Sequence, residues 1–195
     1  MSEEKYEIEK KFLLKKDIEE ENLLKTSTKI IQIYQTYINI KENEEDRIRK
    51  SIIETYIRKE NGEEKEITEE EFDKGYDENT YIKENTIYTY TKKIGHGEVR
   101  EEYEEEISED LYKLLLENNK IGRTIYKTRH VLKNNDNKFK EIIIDIYPTM
   151  AEKIAEVEFR SKEFIEEIPE ILKDKIERQI INEKKYSNKA MAICI

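Results

Sequence analysis

The chain has no tryptophan, one cysteine, two prolines, two histidines and five glycines in 195 residues. Each shortage excludes something. One cysteine cannot form an internal disulfide, which suits a reducing, cytoplasmic setting. Cys194 with His96 and His130 is too small a set for a thiolate or imidazole metal site. Without tryptophan, the strongest stacking platform for a base or a thiazolium ring is missing. Nothing approaches the ~20 consecutive apolar residues of a membrane span, and the amino-terminal stretch has no apolar leader region. A net charge of −10 speaks against a general nucleic-acid or anionic-membrane partner. The expectation is a soluble monomer or homodimer.

What the chain does have is charge, at 42% of residues against 36% hydrophobic. Such a balance can mean disorder. Here 13 Tyr, 5 Phe and many Ile recur at periodic positions along the whole length. An ordered protein with a thin core follows, and the length suits a single domain over residues 1–195.

The stretch YEIEKKF at 6–12 sets the theme. Glu7, Glu9 and Lys11 alternate with mostly apolar neighbours, as on a strand whose side chains point to opposite faces with period two. Taken alone it is a charged strand edge in water. Further strands are predicted at 29–40, 47–56, 81–94, 98–107, 123–132, 138–147 and 153–160. Asn61-Gly62 signals a hairpin within 57–66. Helices are predicted at 17–25, from a Thr68 start to near Gly75 with Phe72 and Tyr76 as its small apolar side, at 109–120 behind a Ser108 cap, from Ser161, from Pro169, and at 184–191. Leu111, Leu114 and Leu115 form the expected buried stripe of the 109–120 helix. Residues 58–80 read as a variable insertion.

The charged strand face recurs in order: Glu7 and Glu9; Arg47 and Arg49; Lys93; Arg100, Glu102 and Glu104; Lys127 and Arg129; Asp145; Glu156 and Glu158. The flanking positions are often apolar and need covering. One economical arrangement is an α+β fold with helices outside an antiparallel barrel and the charges in its lumen. Such charges are too costly to bury dry unless each is paired or solvated. Clustered Arg and Lys suit a multiply charged anion, and clustered carboxylates suit a hard cation such as Mg²⁺ or Mn²⁺. Both together point to a metal–phosphate ligand.

Glu7-x-Glu9-x-Lys11 resembles the ExExK signature of the CYTH, or triphosphate tunnel metalloenzyme, superfamily. Gln35-x-Tyr37, Arg47-x-Arg49, Thr91-x-Lys93, Arg100-x-Glu102-x-Glu104, Lys127-x-Arg129, the Asp145 strand and Glu156-x-Glu158 follow in that family's order. The resemblance covers residues 5–160 and a C-terminal helix. It implies an eight-stranded antiparallel tunnel, with the C-terminal helix near it, that binds a triphosphate. Phosphoryl transfer is mostly positioning plus charge stabilisation. On this reading Arg47, Arg49, Lys93, Arg100, Lys127 and Arg129 bind phosphate oxygens, and Glu7, Glu9, Asp145, Glu156 and Glu158 hold Mg²⁺ or Mn²⁺. The resemblance further implies that Lys11 contacts the phosphates and assists the leaving group. Lys189 resembles a phosphate-contacting residue of the family's plugging helix. Catalytic parts fall to Lys11, Glu9, Tyr37 and Lys93. Tyr37 has packing as its plainer reading. Glu102 stays open between ligand and structural residue, and Glu104 between tunnel residue and arginine partner. Tyr88, Tyr90, Tyr126 and Tyr147 read as packing.

The family includes inorganic triphosphatases, thiamine triphosphatases, class IV adenylate cyclases and RNA triphosphatases. No adenine or thiamine pocket is legible, and the missing tryptophan favours a substrate without a base, tripolyphosphate, cleaved to phosphate and pyrophosphate. A cyclase, a thiamine triphosphatase and a non-catalytic polyphosphate or nucleotide module stand as alternatives.

Overall fold

Alternation of apolar and charged residues needs a sheet with two different faces, and the chain builds one. The computed structural model describes residues 6–24, 26–60, 62–66, 80–95 and 99–194. The predicted helix at 68–75 and residues 96–98 at the join of two predicted strands lie outside them.

Eleven strands form one antiparallel sheet. They are β1 (Tyr6–Leu14), β2 (Ser27–Ile40), β3 (Glu44–Glu60), β4 (Glu63–Glu66), β5 (Thr80–Ile94), β6 (Val99–Glu106), β7 (Arg123–Leu132), β8 (Phe139–Ile146), β9 (Lys153–Phe159), β10 (Ile176–Ile180) and β11 (Ile193–Cys194). Their order is β10-β1-β6-β5-β3-β2-β7-β8-β9, with β4 beside β3 and β11 beside β7. β1 also pairs with β9, over Glu9–Leu13. Every predicted strand is found. β10 and β11 were not anticipated; IERQI at 176–180 is too polar to signal a strand.

Helices are few among the described residues: α1 (Glu20–Leu24), α2 (Glu109–Glu117) and α3 (Asn188–Met191). None is long and apolar enough to cross a membrane. Ser108 caps α2 as expected, accepting from the Leu111 amide at 3.2 Å. Its expected leucine stripe is wrong. Leu111 and Leu114 are exposed, and Tyr112 is the buried residue, its ring 4.9 Å from that of Tyr88 on β5. The ring offers more area to bury than a leucine and takes the inward face. The helices expected from Ser161 and Pro169 are single 3₁₀ turns, Lys162–Phe164 and Glu170–Leu172. Phe164, Ile165, Ile171 and Leu172 fold down onto the sheet instead of extending a helix. The helix expected at 184–191 divides into a 3₁₀ turn, Lys184–Tyr186, and α3.

Neighbouring residues of one strand serve different cores, which is period two made visible. Phe12, Leu14, Ile144 and Val157 join Leu23 and Leu172 on the outer face. Leu13, Tyr37, Ile125, Tyr147 and Ile154 join Tyr186 and Ala192 on the inner face. Full burial of each such side chain stabilises by roughly 1.5–3 kcal/mol. Tyr37 and Tyr186 of the inner cluster also border a cavity whose lining is otherwise rich in charged residues.

Candidate functional site

The inner faces of the strands bring the expected residues together by register. Gln35 stands opposite Arg49, and Tyr37 opposite Arg47. Arg47 stands opposite Thr91, Thr91 opposite Glu104, and Lys93 opposite Glu102. Glu9 faces Glu158, Lys11 faces Glu156, and Arg129 faces Asp145. The result is a cavity of about 900 Å³. Glu9, Lys11, Tyr37, Arg47, Arg49, Lys93, Glu102, Glu104, Arg129, Glu156, Glu158 and Lys189 all line it.

The floor is a buried ion cluster. Arg129 grips Asp145 with two bonds, Nε to Oδ1 at 2.8 Å and Nη2 to Oδ2 at 2.9 Å. Lys127 bonds the same Oδ2. Arg129 Nη2 also reaches Glu156 Oε2 at 2.8 Å, and Lys11 Nζ meets Glu156 Oε1 at 2.5 Å and Glu9 Oε1 at 3.7 Å. Burial pulls the Lys11 ammonium down, but Glu156 and Glu9 outweigh it and its pKa is raised. Burial pushes the Asp145 carboxyl up, yet Arg129 and Lys127 hold it below the ordinary range. Lys127 is lowered to about 8 by burial and by Arg129, with Asp145 opposing.

The wall is arranged differently. Glu102 accepts from both Arg47 (3.2 Å) and Lys93 (2.7 Å). Glu104 lines the cavity, the tunnel alternative, and accepts from the Thr91 hydroxyl at 2.8 Å while its charge acts on Arg49 without bonding it. Gln35 donates to the Tyr37 hydroxyl at 3.0 Å and accepts from Arg49 Nη2 at 3.3 Å. Arg49 Nε is buried with no partner among the described residues. Burial, then Arg47 and Arg129, lower the Arg49 guanidinium to about 10. Tyr37 is buried and pushed up to about 12, so it stays a phenol.

Two expected phosphate or metal residues stand behind the surface. Lys127 and Asp145 are fully buried and do not line the cavity. Glu7 and Arg100 are register partners across β1 and β6, and their side chains lie outside the described residues. Several cavity residues were missed, Lys10, Lys140, Arg160 and Lys184 among them; another is Glu45, whose Oε2 meets Lys189 Nζ at 3.2 Å. It sits near the start of β3, where the alternation Arg49, Arg47, Glu45 could have found it.

Among the described residues, no three of His, Cys, Asp and Glu come together as a ready metal cage. Asp145 and Glu156 are committed to the floor cations. Glu9 and Glu158 stand opposite in register on the cavity lining, Glu9 3.7 Å from the Lys11 ammonium and Glu158 bonded to Lys140 at the exposed side; both offer carboxylate oxygens to a hard cation. Mg²⁺ needs only one or two carboxylates when substrate phosphates and waters supply the rest. The pair fits an ion of that kind and not a protein-only cage.

No family model and no curated protein matches the chain. Solved structures do. The inorganic triphosphatase NE1496 is 21% identical, with 97% of this chain and 95% of that one covered and a TM-score of 0.52. The PH1819 protein of Pyrococcus horikoshii OT3 is 20% identical, with coverages of 91% and 94% and a TM-score of 0.56. Likeness at these identities is likeness of fold. The chain therefore has the fold of NE1496 and PH1819.

Proposed function

We propose that the cavity binds a triphosphate together with Mg²⁺ or Mn²⁺ and hydrolyses it, tripolyphosphate being the substrate that suits it best. The observation that carries this reading is Arg49. Its guanidinium faces the cavity beside Arg47 and Arg129, has a neutral amide oxygen as its hydrogen-bond partner, and keeps Nε buried and unbonded. A desolvated cation held against like charges is a standing demand for an anion. The lining as a whole carries ten Lys or Arg against seven Glu, a positive excess within a chain of net charge −10. The pairing of β1 with both β6 and β9 supports a sheet that wraps around this space as a tunnel. That inorganic triphosphatase NE1496 has the same fold supports the substrate class.

In the reaction, a water oxygen bonds to a terminal phosphorus and the bond from that phosphorus to its bridging oxygen breaks, releasing pyrophosphate. Arg47, Arg49, Lys93, Arg129 and Lys189 hold phosphate oxygens, with Arg100 as a further candidate. Lys11 stays protonated under the pull of Glu156 and Glu9; it stabilises charge growing on the leaving oxygen and does not surrender its proton. Tyr37 orients phosphate through its hydroxyl. Lys127 and Asp145 fix Arg129. Glu9 and Glu158 would hold the divalent ion, which when bound neutralises phosphate charge and acidifies a water.

Incubation with tripolyphosphate, ATP and thiamine triphosphate, each with Mg²⁺ or Mn²⁺, tests the reading. Phosphate release from tripolyphosphate, abolished in Glu9→Ala, is the expected result. Pyrophosphate with cyclic AMP from ATP would replace the hydrolase with a cyclase. Thermal stabilisation by tripolyphosphate without turnover would leave a binding module.

A further inference from the structure

Tyr147 carries a buried hydroxyl that the hydrolysis above does not use. Its ring packs with Leu13, Tyr37, Ile154 and Tyr186, as a packing residue should. The hydroxyl goes further. It lies 3.4 Å from Asp145 Oδ2 and donates to Asn188 Oδ1 at 2.8 Å. The residue is 2% exposed. Burial, then Asp145, hold its pKa well above the ordinary phenol value, so the hydroxyl remains a donor.

Asn188 is the first residue of α3, and the next residue is Lys189, whose ammonium meets Glu45 in the cavity. α3 has four residues, far too few to be stable by itself. Ser187 closes its first turn by accepting from the Ala190 amide at 3.1 Å. That bond is internal and does not place the turn against the sheet. Burial of Tyr186 and Ala192 and the pairing of β11 with β7 anchor the two ends. The Tyr147–Asn188 bond joins the middle to the charged floor.

We infer that Tyr147 and Asn188 are positioning residues that set Lys189 over the cavity, where its ammonium exchanges Glu45 for an oxygen of the bound polyphosphate. The second half rests on the phosphate reading above; the first half does not. Glu45 is then a placeholder for the anion, keeping a half-buried ammonium paired while the cavity is empty of substrate.

Hydrogen exchange on the ligand-free protein reads the positioning, and calorimetry with tripolyphosphate and Mg²⁺ reads its use. Tyr147→Phe should speed amide exchange across residues 188–194 roughly two- to tenfold, the worth of one hydrogen bond, and weaken tripolyphosphate binding by a similar factor. Asn188→Ala should do the same and serves if the core variant folds poorly. On a Lys189→Ala background neither should add further loss, since coupled groups are not additive. A Tyr147 that only packs would give additive losses and leave exchange at 188–194 unchanged, and either result overturns the inference. A wild-type protein without affinity for tripolyphosphate overturns the phosphate reading alone, with the exchange measurement still deciding the positioning.

Discussion

On the floor of the cavity, Lys127 and Asp145 are wholly removed from water and bonded to each other, with Arg129 completing the cluster. On the wall, Arg49 is also desolvated, but it is set beside Arg47 and Arg129 with a glutamine oxygen for company. The two regions use the same residue types at the same strand spacing. What differs is whether a carboxylate bonds the cation directly: Asp145 bonds Lys127 and Arg129, whereas Glu104 and Glu102 act on Arg49 without bonding it among the described residues. Where it does, the charges act as structure, because removing one strands the others in low dielectric. Where it does not, an anion from outside would offset the desolvation, on the reading proposed above.

The largest effect should come from breaking the floor. Asp145→Ala leaves two buried cations without their carboxylate, which costs about 3–5 kcal/mol. For a domain of this size the melting temperature should fall by roughly 10 °C or more. An unchanged melting curve would show that Lys127 and Arg129 find other partners, and the contrast between floor and wall would disappear.

The wall should respond in the opposite sense. Arg49→Met removes a cation that its neighbours repel, so the melting temperature should hold or rise slightly. Tripolyphosphate affinity should fall about ten- to a hundredfold, the worth of a charge-assisted hydrogen bond or two. Stability and binding would then part company at one residue, as expected where a site is kept strained for a ligand. A variant that loses stability and keeps affinity would make Arg49 a structural residue like Asp145.

The sequence shows one part of this division and hides the other. Tyr37, Arg47, Arg49, Lys93, Arg129, Glu156 and Glu158 were legible because a strand fixes which residues share a face, and alternation can be read locally. Which residue lies opposite which is a matter of long-range register, and register leaves no local trace. So Lys127 and Asp145 could not be separated from the cavity-lining residues around them, nor could Glu45 be matched with Lys189 some hundred and forty positions away. Tyr147 read as packing because its ring does pack; its hydroxyl acquires a role only from Asn188, on a segment the sequence makes look like plain helix. Likewise α2 offered two apolar faces in its own spacing, and the choice of Tyr112 was made by Tyr88 across the sheet.

The smallest effect concerns pH and sharpens the floor alone. Lys127 is lowered from 10.5 to about 8. Between those values the unfolded chain holds a proton on this lysine that the folded chain has released. Stability therefore rises with pH across that window, since the unfolded state binds more protons. Lys11, whose pKa is raised above 10.5, contributes no slope there; its stabilisation is complete below 10.5 and is lost above it. Tyr37, ordinarily 10.0 and here about 12, begins to oppose the trend only above pH 10. Denaturant unfolding at pH 8, 9 and 10 should thus show wild type gaining relative to Lys127→Met, by at most ~1.4 kcal/mol per pH unit. Self-repulsion of the acidic surface grows equally in both proteins and cancels in the difference. Parallel curves would mean that Lys127 keeps its proton throughout, with Asp145 binding it more firmly than burial and Arg129 can oppose.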